Sequence, residues 1–299
     1  MTQAVFLETA EYEASLKEQK KRRLNVSGVL KILGVSRNGY LSWKNRRTSD
    51  REKRRELIKK RILNIYNESH QNYGAPKITE QLRKDGEKIS EKTVANYMRE
   101  LGIKAQYIKP YTVTTIDPDF STQLKNILNE EFNPSEPDAA WCSDITYIWT
   151  FNGFVYLTSI MDLYSRKIIA WTLSDTLEAR WVAETIRKAR ERRHVERPLI
   201  LHSDRGIQYV CREYKEETQG IQLSYSKKAY PWDNACIEAF HALIKRDWLN
   251  RFKIMDYNHA YRLVFEYIET FYNTVRLHSH CAYLSPNEYE LNYAAGHSV

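Results

Sequence analysis

The sequence predicts a molecule in two parts: a basic, all-α N-terminal region, then an α/β region built on a mixed five-stranded sheet. Three observations carry this expectation. At 299 residues the chain exceeds the ~100–200 residues of a usual single domain. Its charge is lopsided: residues 1–110 hold 25 Lys and Arg against 13 Asp and Glu, net +12, while the remainder holds 21 against 25, net −4. From Ala140 onward, helical periodicity gives way to short runs of Ile, Val, Tyr and Trp, which favour strand. A basic surplus confined to one end points to a polyanionic partner for that end; charge speaks to association rather than to fold.

The totals also exclude classes. Cys142, Cys211, Cys236 and Cys281 lie far apart without a Cys-x-x-Cys pair, which argues against a disulfide framework and a zinc knuckle and fits a reducing compartment. The first residues, MTQAVFLETAEYEASLKEQKKRR, are mostly polar, and no apolar run approaches the ~18 residues of a membrane span. A cytoplasmic protein is expected, with no membrane partner.

Taken in order, residues 1–50 read as a first helix-turn-helix. Val29, Leu30, Ile32 and Leu33 precede Gly34, and Ser36 is placed to cap a second helix carrying Arg37 and Lys44. Residues 51–104 read as a second, basic unit. It opens with an amphipathic helix over 51–68 (Leu57, Ile58, Ile62, Ile65 at helical spacing). Ile78 and Leu82 then mark one helix, Asp85-Gly86 a turn, and Val94, Tyr97, Met98 and Leu101 another, with Ser90 to cap it, Gly102 to end it and Lys92 on its first turn. Basic faces are often merely solvated. Two such units beside a net +12 favour DNA, because neutralising phosphates releases counterions; Arg37, Lys44 and Lys92 are the candidate contacts. Residues 105–138, with Pro110, Asp117-Pro118, Pro134 and Pro137 and a short helix around Gln123 to Leu128, are the expected linker.

Residues 139–254 form the expected core. WCSDITYIW is a strand with Asp144, Thr146 and Ile148 on one face and Ile145, Tyr147 and Trp149 on the other; Asn152-Gly153 turns it into FVYLTSIMD. RKIIAWTLS makes a third strand, 177–193 a helix with Leu177, Trp181, Val182, Ile186 and Ala189 inward, PLILHSD a fourth strand, 211–219 a helix and IQLSYS a fifth strand. PWDNACIEAFHALIKRDWL, Pro231 to Leu249, is then an amphipathic helix. Asp144 inside an apolar strand is costly unless solvated, hydrogen-bonded or metal-bound, and Asp204 ends the fourth strand where sites are commonly built. Residues 255–299 are a helical extension, with Leu263, Val264, Tyr267, Ile268 and Phe271 inward on a helix over 256–274.

WCSDITYIWT, LHSDRGIQY and WDNACIEAFHALIK, in this order, resemble the catalytic blocks of retroviral-integrase-type transposases of bacterial insertion sequences, and more narrowly the second-reading-frame (OrfB) type of the insertion sequence three group. The likeness runs from the first helix-turn-helix to YNTVRLHSHCAYLSPNEYE. It implies an RNase H-like core with a DDE triad at Asp144, Asp204 and Glu238. The 33 residues between Asp204 and Glu238 are slightly fewer than the family pattern has, and the deletion falls between Val210 and Ala229. The neighbouring carboxylate, Asp233, is read as a helix cap through its side chain.

Such a triad suits phosphodiester transfer, which needs an activated oxygen, in-line positioning and neutralised charge. Two hard cations, Mg²⁺ or Mn²⁺, roughly 4 Å apart supply all three and prefer carboxylate oxygens. Without cations, unit charges at that distance repel by roughly 4 kcal/mol at an effective dielectric near 20. Helical spacing sets Lys245 and His241 on the Glu238 side as DNA contacts, Lys245 against a phosphate, while Phe240, Leu243, Ile244 and Trp248 pack inward. Arg205 and Gln208 either steady the loop after Asp204 or touch DNA. His202 is a site neighbour or a hydrogen-bonded strand histidine, and Asp162 a turn or salt-bridge residue. Arg276, His278, His280 and Cys281 lack paired zinc spacing.

The expectation is therefore a metal-dependent DNA transposase that cleaves element ends and joins them to target DNA. The resemblance implies a homo-oligomer and, as further partner, an upstream reading-frame product. The rivals are a catalytically inactive DNA-binding regulator and an RNase H-like nuclease.

Overall fold

The computed structural model describes residues 2–19, 24–45, 49–105, 124–195, 197–227 and 230–296. The chain forms two compact units, residues 1–61 and 62–299.

In the first unit, α1 (Thr2–Glu18), α2 (Val26–Ile32) and α3 (Arg37–Lys44) enclose Phe6, Leu30 and Tyr40, with Ala10, Val26, Val35 and Trp43 packed around them. Gly34 takes the left-handed turn between α2 and α3 at φ +67°, where a Cβ is disfavoured, and Ser36 caps α3 by accepting from the Gly39 N–H at 3.2 Å. α1 was not foreseen, because its stretch is mostly polar and buries only Phe6 and Thr9. Ile32 and Leu33, expected to be apolar anchors, are exposed.

α4 (Asp50–Glu68) opens on a capping box: Ser49 N–H donates to Glu52 and Glu52 N–H to the Ser49 hydroxyl. Ile58, Ile62 and Ile65 are buried as the spacing predicts, while Leu57 faces solvent.

In the second unit α5 (Ala75–Lys84) and α6 (Glu91–Glu100) bury Ile78, Leu82, Val94 and Met98, and Ser90 caps α6 through the Thr93 N–H. This helix pair is joined to the core by a polar and aromatic seam. The Tyr73 hydroxyl accepts from Leu277 N–H at 2.8 Å, Lys84 donates to the Tyr283 carbonyl, Arg251 donates to the His70 carbonyl and Asn72, and the His70 ring meets Trp248 edge-on at 4.6 Å.

Pro110, Asp117 and Pro118 of the expected linker, and Gln123, lie outside the described residues. The helix expected around Gln123 to Leu128 is not formed over 124–128. The N–H groups of Ile127 and Leu128 donate instead to the Ser224 hydroxyl, and Tyr225 N–H donates to the Lys125 carbonyl, so the segment lies along the last strand.

The sheet runs β3–β2–β1–β4–β5, with β1 (Ala140–Thr150), β2 (Gly153–Asp162) and β3 (Ile168–Ser174) antiparallel, and β4 (Ile200–Ser203) and β5 (Gln222–Tyr225) parallel to β1. On one face Trp141, Ile160, Ile169 and Ala170 pack with Val182, Ile186 and Ala189 of α7 (Ala179–Arg192) and with Tyr214 of α8 (Arg212–Glu217). Leu177 precedes α7, falls outside its helical period and is exposed, contrary to the expected inward position. α9 (Ala235–Asp247), entered through a 3₁₀ turn at Pro231–Asn234, lies against β1 and β2 and buries Ile237, Phe240 and Ile244.

α10 (Tyr257–Phe265) widens into a π-helix over Glu266–Tyr272 that buries Tyr267, Ile268, Phe271 and Tyr272. α11 (Pro286–Gly296) lies within the expected helical extension, although no separate helix was placed there, and is tied down by Glu290, which pairs with Arg193 and Lys167 and accepts from the Ser165 hydroxyl at 2.7 Å. Among the described residues no helix is long and apolar enough to cross a membrane. All four cysteines are free thiols.

Candidate active site

The parallel pairing of β1 with β4 ends at Ser143↔Ser203. Asp144 and Asp204 are therefore the first residues beyond the last rung, side by side where the two strands part. The carboxyl end of β4, where β1 runs on beside β2 alone, opens the kind of crevice in which α/β sheets build sites. Asp204 accepts from the Gly206 N–H at 2.9 Å, and a Cβ at Gly206 would sit 3.0 Å from that same carboxylate oxygen, so glycine permits the approach.

Glu238 projects from the first turns of α9. Burial, then the charges of Asp144 and Asp204, raise its carboxyl to about 6. That shift places the third carboxylate in the field of the other two. Among the described residues no three His, Cys, Asp or Glu side chains are gathered tightly enough to hold one metal ion. Hard oxygen donors from three elements still form a donor set suited to divalent cations of the Mg²⁺ class.

Around the carboxylates, several side chains take positions that sequence spacing did not reveal. His241, expected to face DNA, is corrected: it is buried, with Nδ1 3.2 Å from Asp144 Oδ2 and Nε2 3.3 Å from the Ser159 hydroxyl. Because a carboxylate only accepts, Nδ1 carries the proton and the ring holds Asp144 in orientation. Tyr209 was not singled out. Its buried hydroxyl lies 3.2 Å from Ser143 Oγ, and its carbonyl accepts from the Tyr225 hydroxyl at 3.0 Å, bracing the loop after Asp204 from beneath.

Asp233 does not cap α9. Its Oδ2 accepts from Lys227 N–H at 2.6 Å and from Asn126 at 3.0 Å, so it ties the loop before α9 to the segment beside β5. The Asn234 amide donates to the Ser143 carbonyl at 3.4 Å, which anchors the start of α9 to β1 beside Asp144.

Lys245 is half-buried, its ammonium 4.5 Å from the Tyr147 ring centroid; burial lowers its pKa while Asp144 opposes the shift. Arg205 donates to the Ser226 carbonyl at 2.7 Å and to the Leu124 carbonyl, and Gln208 to the Leu177 carbonyl at 3.5 Å, so both steady the loop. His202 is a strand histidine between Ser224 and Ser226, and burial pushes it down to about 4, uncharged. Asp162 is buried, accepts from the Asp138 and Tyr164 N–H groups and is raised to about 7 by burial.

Of the N-terminal candidates, Arg37 on α3 and Lys92 on α6 are exposed, whereas Lys44 is paired with Glu13 at 2.5 Å. Arg276 is buried against Asp247, and burial with Arg276 beside it drives His278 down to about 3.

Comparison with known proteins adds family models and relatives. An integrase core domain model matches residues 134–231, an HTH-like domain model residues 52–111 and a second integrase core domain model residues 219–286. The transposase InsF for insertion sequence IS3A of Escherichia coli K12 is 32% identical over 277 residues, 91% of this chain and 96% of that one. The transposase for insertion sequence element IS904 of Lactococcus lactis is 33% identical over 248 residues, 82% of this chain and 98% of that one. Among solved structures, the catalytic core domain of HTLV-2 integrase in complex with magnesium is 14% identical, with a TM-score of 0.41, over 52% of this chain and 98% of that one.

Proposed function

We propose that Asp144, Asp204 and Glu238 together carry the chemistry of this chain, which belongs to the family of the InsF transposases of insertion sequence IS3. It is a DNA transposase of the polynucleotidyl transferase type. The observation that supports the triad is the raised carboxyl of Glu238 under the charges of Asp144 and Asp204. When bound, two divalent cations would activate the attacking oxygen and neutralise the leaving one.

The chain's own residues do the remaining work. Asp144 and Asp204, held by His241 and the Gly206 N–H, present fixed oxygens; Glu238 closes the set from α9. Lys245 holds a phosphate beside the scissile bond, its ammonium lying over the Tyr147 ring on the Asp144 side of α9. The exposed face of α6, with Lys92, contacts DNA, as does Arg37 on α3. Element ends and target DNA are the substrates. A homo-oligomer and an upstream reading-frame product are the expected partners.

A Mg²⁺ or Mn²⁺ titration followed by thermal unfolding tests the metal site. The parent's midpoint is expected to rise with cation concentration, and that of the Asp144→Asn/Asp204→Asn/Glu238→Gln chain to stay flat; equal responses would refute the site. The pH dependence has a definite sign. Glu238 is protonated below about 6 and then makes a poor ligand, so cation-limited activity rises as pH increases through that value. Saturating cation moves the midpoint lower.

His241 acts as a positioning residue. His241→Ala is expected to raise the Mg²⁺ concentration for half-maximal activity about 10–100-fold. His241→Gln, which can still donate to Asp144, recovers most of it. A His241→Ala chain with unchanged metal dependence contradicts the role.

A further inference from the structure

We infer that the exposed aromatic face of the β1–β2 hairpin receives unpaired bases of the DNA strand whose phosphate lies at the carboxylates. Tyr147, Trp149 and Phe154 are 43%, 61% and 47% exposed, and Phe151 at the hairpin tip is 63% exposed. Such rings are normally buried, and a cluster of them in solvent marks a binding surface. The rings form one group: Phe154 packs edge-to-face on Tyr147 at 5.4 Å and on Trp149 at 4.9 Å, across the register pair Trp149↔Phe154. The rings already pack on one another above a paired ladder, so little side-chain freedom is left to lose when a flat partner stacks.

Strand alternation puts Tyr147 and Trp149 on the opposite side of β1 from Asp144, and the structure shows how the two sides connect. β4 pairs with β1 only as far as Ser143, so among the described residues no strand flanks β1 from Asp144 to Thr150 on that edge. Lys245 reaches round this edge: its ammonium lies over the Tyr147 ring at 4.5 Å while the charge of Asp144 acts on it. A strand whose phosphate sits between Lys245 and the carboxylates thus has Tyr147 beside it. At roughly 3.4 Å per residue, Tyr147 and Trp149 lie ~10 and ~17 Å along β1 from Asp144, the reach of a few nucleotides.

The cation selects the occupant. An apolar face continuous with a lysine at the reacting phosphate suits a polyanion with flat bases, which combines stacking with phosphate neutralisation. A second copy of the chain would meet the same aromatics but would have to bury that ammonium without a phosphate. Stacking tolerates any base, so the surface discriminates opened from paired DNA rather than one sequence from another.

The inference rests on the triad reading, and its test does not require cleavage. In the absence of divalent cation, binding of the full chain is measured to a labelled duplex with and without an unpaired oligothymidine flank, with 2-aminopurine in the flank as a stacking probe. The parent is expected to bind the flanked duplex about tenfold more tightly and to quench the probe. Trp149→Ala/Phe154→Ala should lose that preference and the quenching, keep its affinity for paired duplex and keep its unfolding midpoint. A parent without preference, or a double variant that retains it, overturns the inference. So does a double variant whose preference persists while its sedimentation shows a smaller assembly, since the face would then be a contact between copies. Normal cleavage by Glu238→Gln would instead overturn the triad and leave this binding result standing.

Discussion

Asp144→Asn, Asp204→Asn and Glu238→Gln are each expected to lower strand transfer by a factor on the order of 10³, equivalent to several kcal/mol of lost transition-state stabilisation. Affinity for DNA should change little, because Lys245, Arg37 and Lys92 keep their charges. The measurement is strand transfer on a labelled element end beside a binding isotherm; undiminished transfer by any one variant removes that residue from the site. Glu238→Gln carries a second signature. A carboxyl raised from 4.5 to about 6 contributes stability that is fully present below its unfolded value and is lost as pH rises through about 6. Without divalent cation, the Glu238→Gln chain should therefore be slightly the more stable at pH 7–8 and lose that advantage in acid. Although burial of the carboxyl raises its pKa, solvent still reaches much of the Glu238 side chain and keeps the difference below ~1 kcal/mol. One substitution that removes activity and does not weaken the fold separates a site residue from a structural one.

The largest effect on stability is expected at Asp247. Its Oδ2 accepts from Arg276 Nε at 3.1 Å and Nη2 at 3.0 Å and from the Tyr267 hydroxyl, and its Oδ1 accepts from Arg246 at 3.0 Å. Both Asp247 and Arg276 are buried, so Asp247→Ala strands a guanidinium away from water and should cost ~3–5 kcal/mol. For a unit of this size that is a fall in the unfolding midpoint of about 10 °C. Because Asp247 is the last residue of α9, activity should fall with it. Asp247→Leu/Arg276→Met removes both charges and should recover much of the midpoint. A small, equal loss in single and double variants would show that the pair contributes little.

The order of strands and helices from Ala140 to Asp247 was legible because each element carries its own period: alternation in β1, the Asn152-Gly153 turn, Val182, Ile186 and Ala189 on α7. Asp144 inside an apolar strand and Asp204 at a strand end stood out by position but read equally well as turn or edge residues, and the grouping of Asp144, Asp204 and Glu238 came from the likeness of their three blocks. What was not legible depends on partners distant in the chain. Helical spacing puts His241 near Glu238, and only β1 and β2 supply the Asp144 and Ser159 groups that draw it inward. Asp233 has the look of a cap until the Lys227 N–H and Asn126 arrive from other segments. Arg276 and Asp247, 29 positions apart, gave no local sign of pairing. α1 and α11 carry few buried residues, so their patterns stay below what periodicity detects.

The seam at Tyr73, His70 and Arg251 bears on modularity. Trp248 and Arg251, which follow α9, pack on the loop leading into α5, so the α5–α6 pair is not a detachable cassette. Grafting a foreign reader at residue 104 would strip the His70 ring from Trp248 and leave the Arg251 guanidinium without its carbonyl. A chimaera that retargets this transposase must therefore carry the seam along with the core, with its junction ahead of α4 rather than between α6 and the sheet.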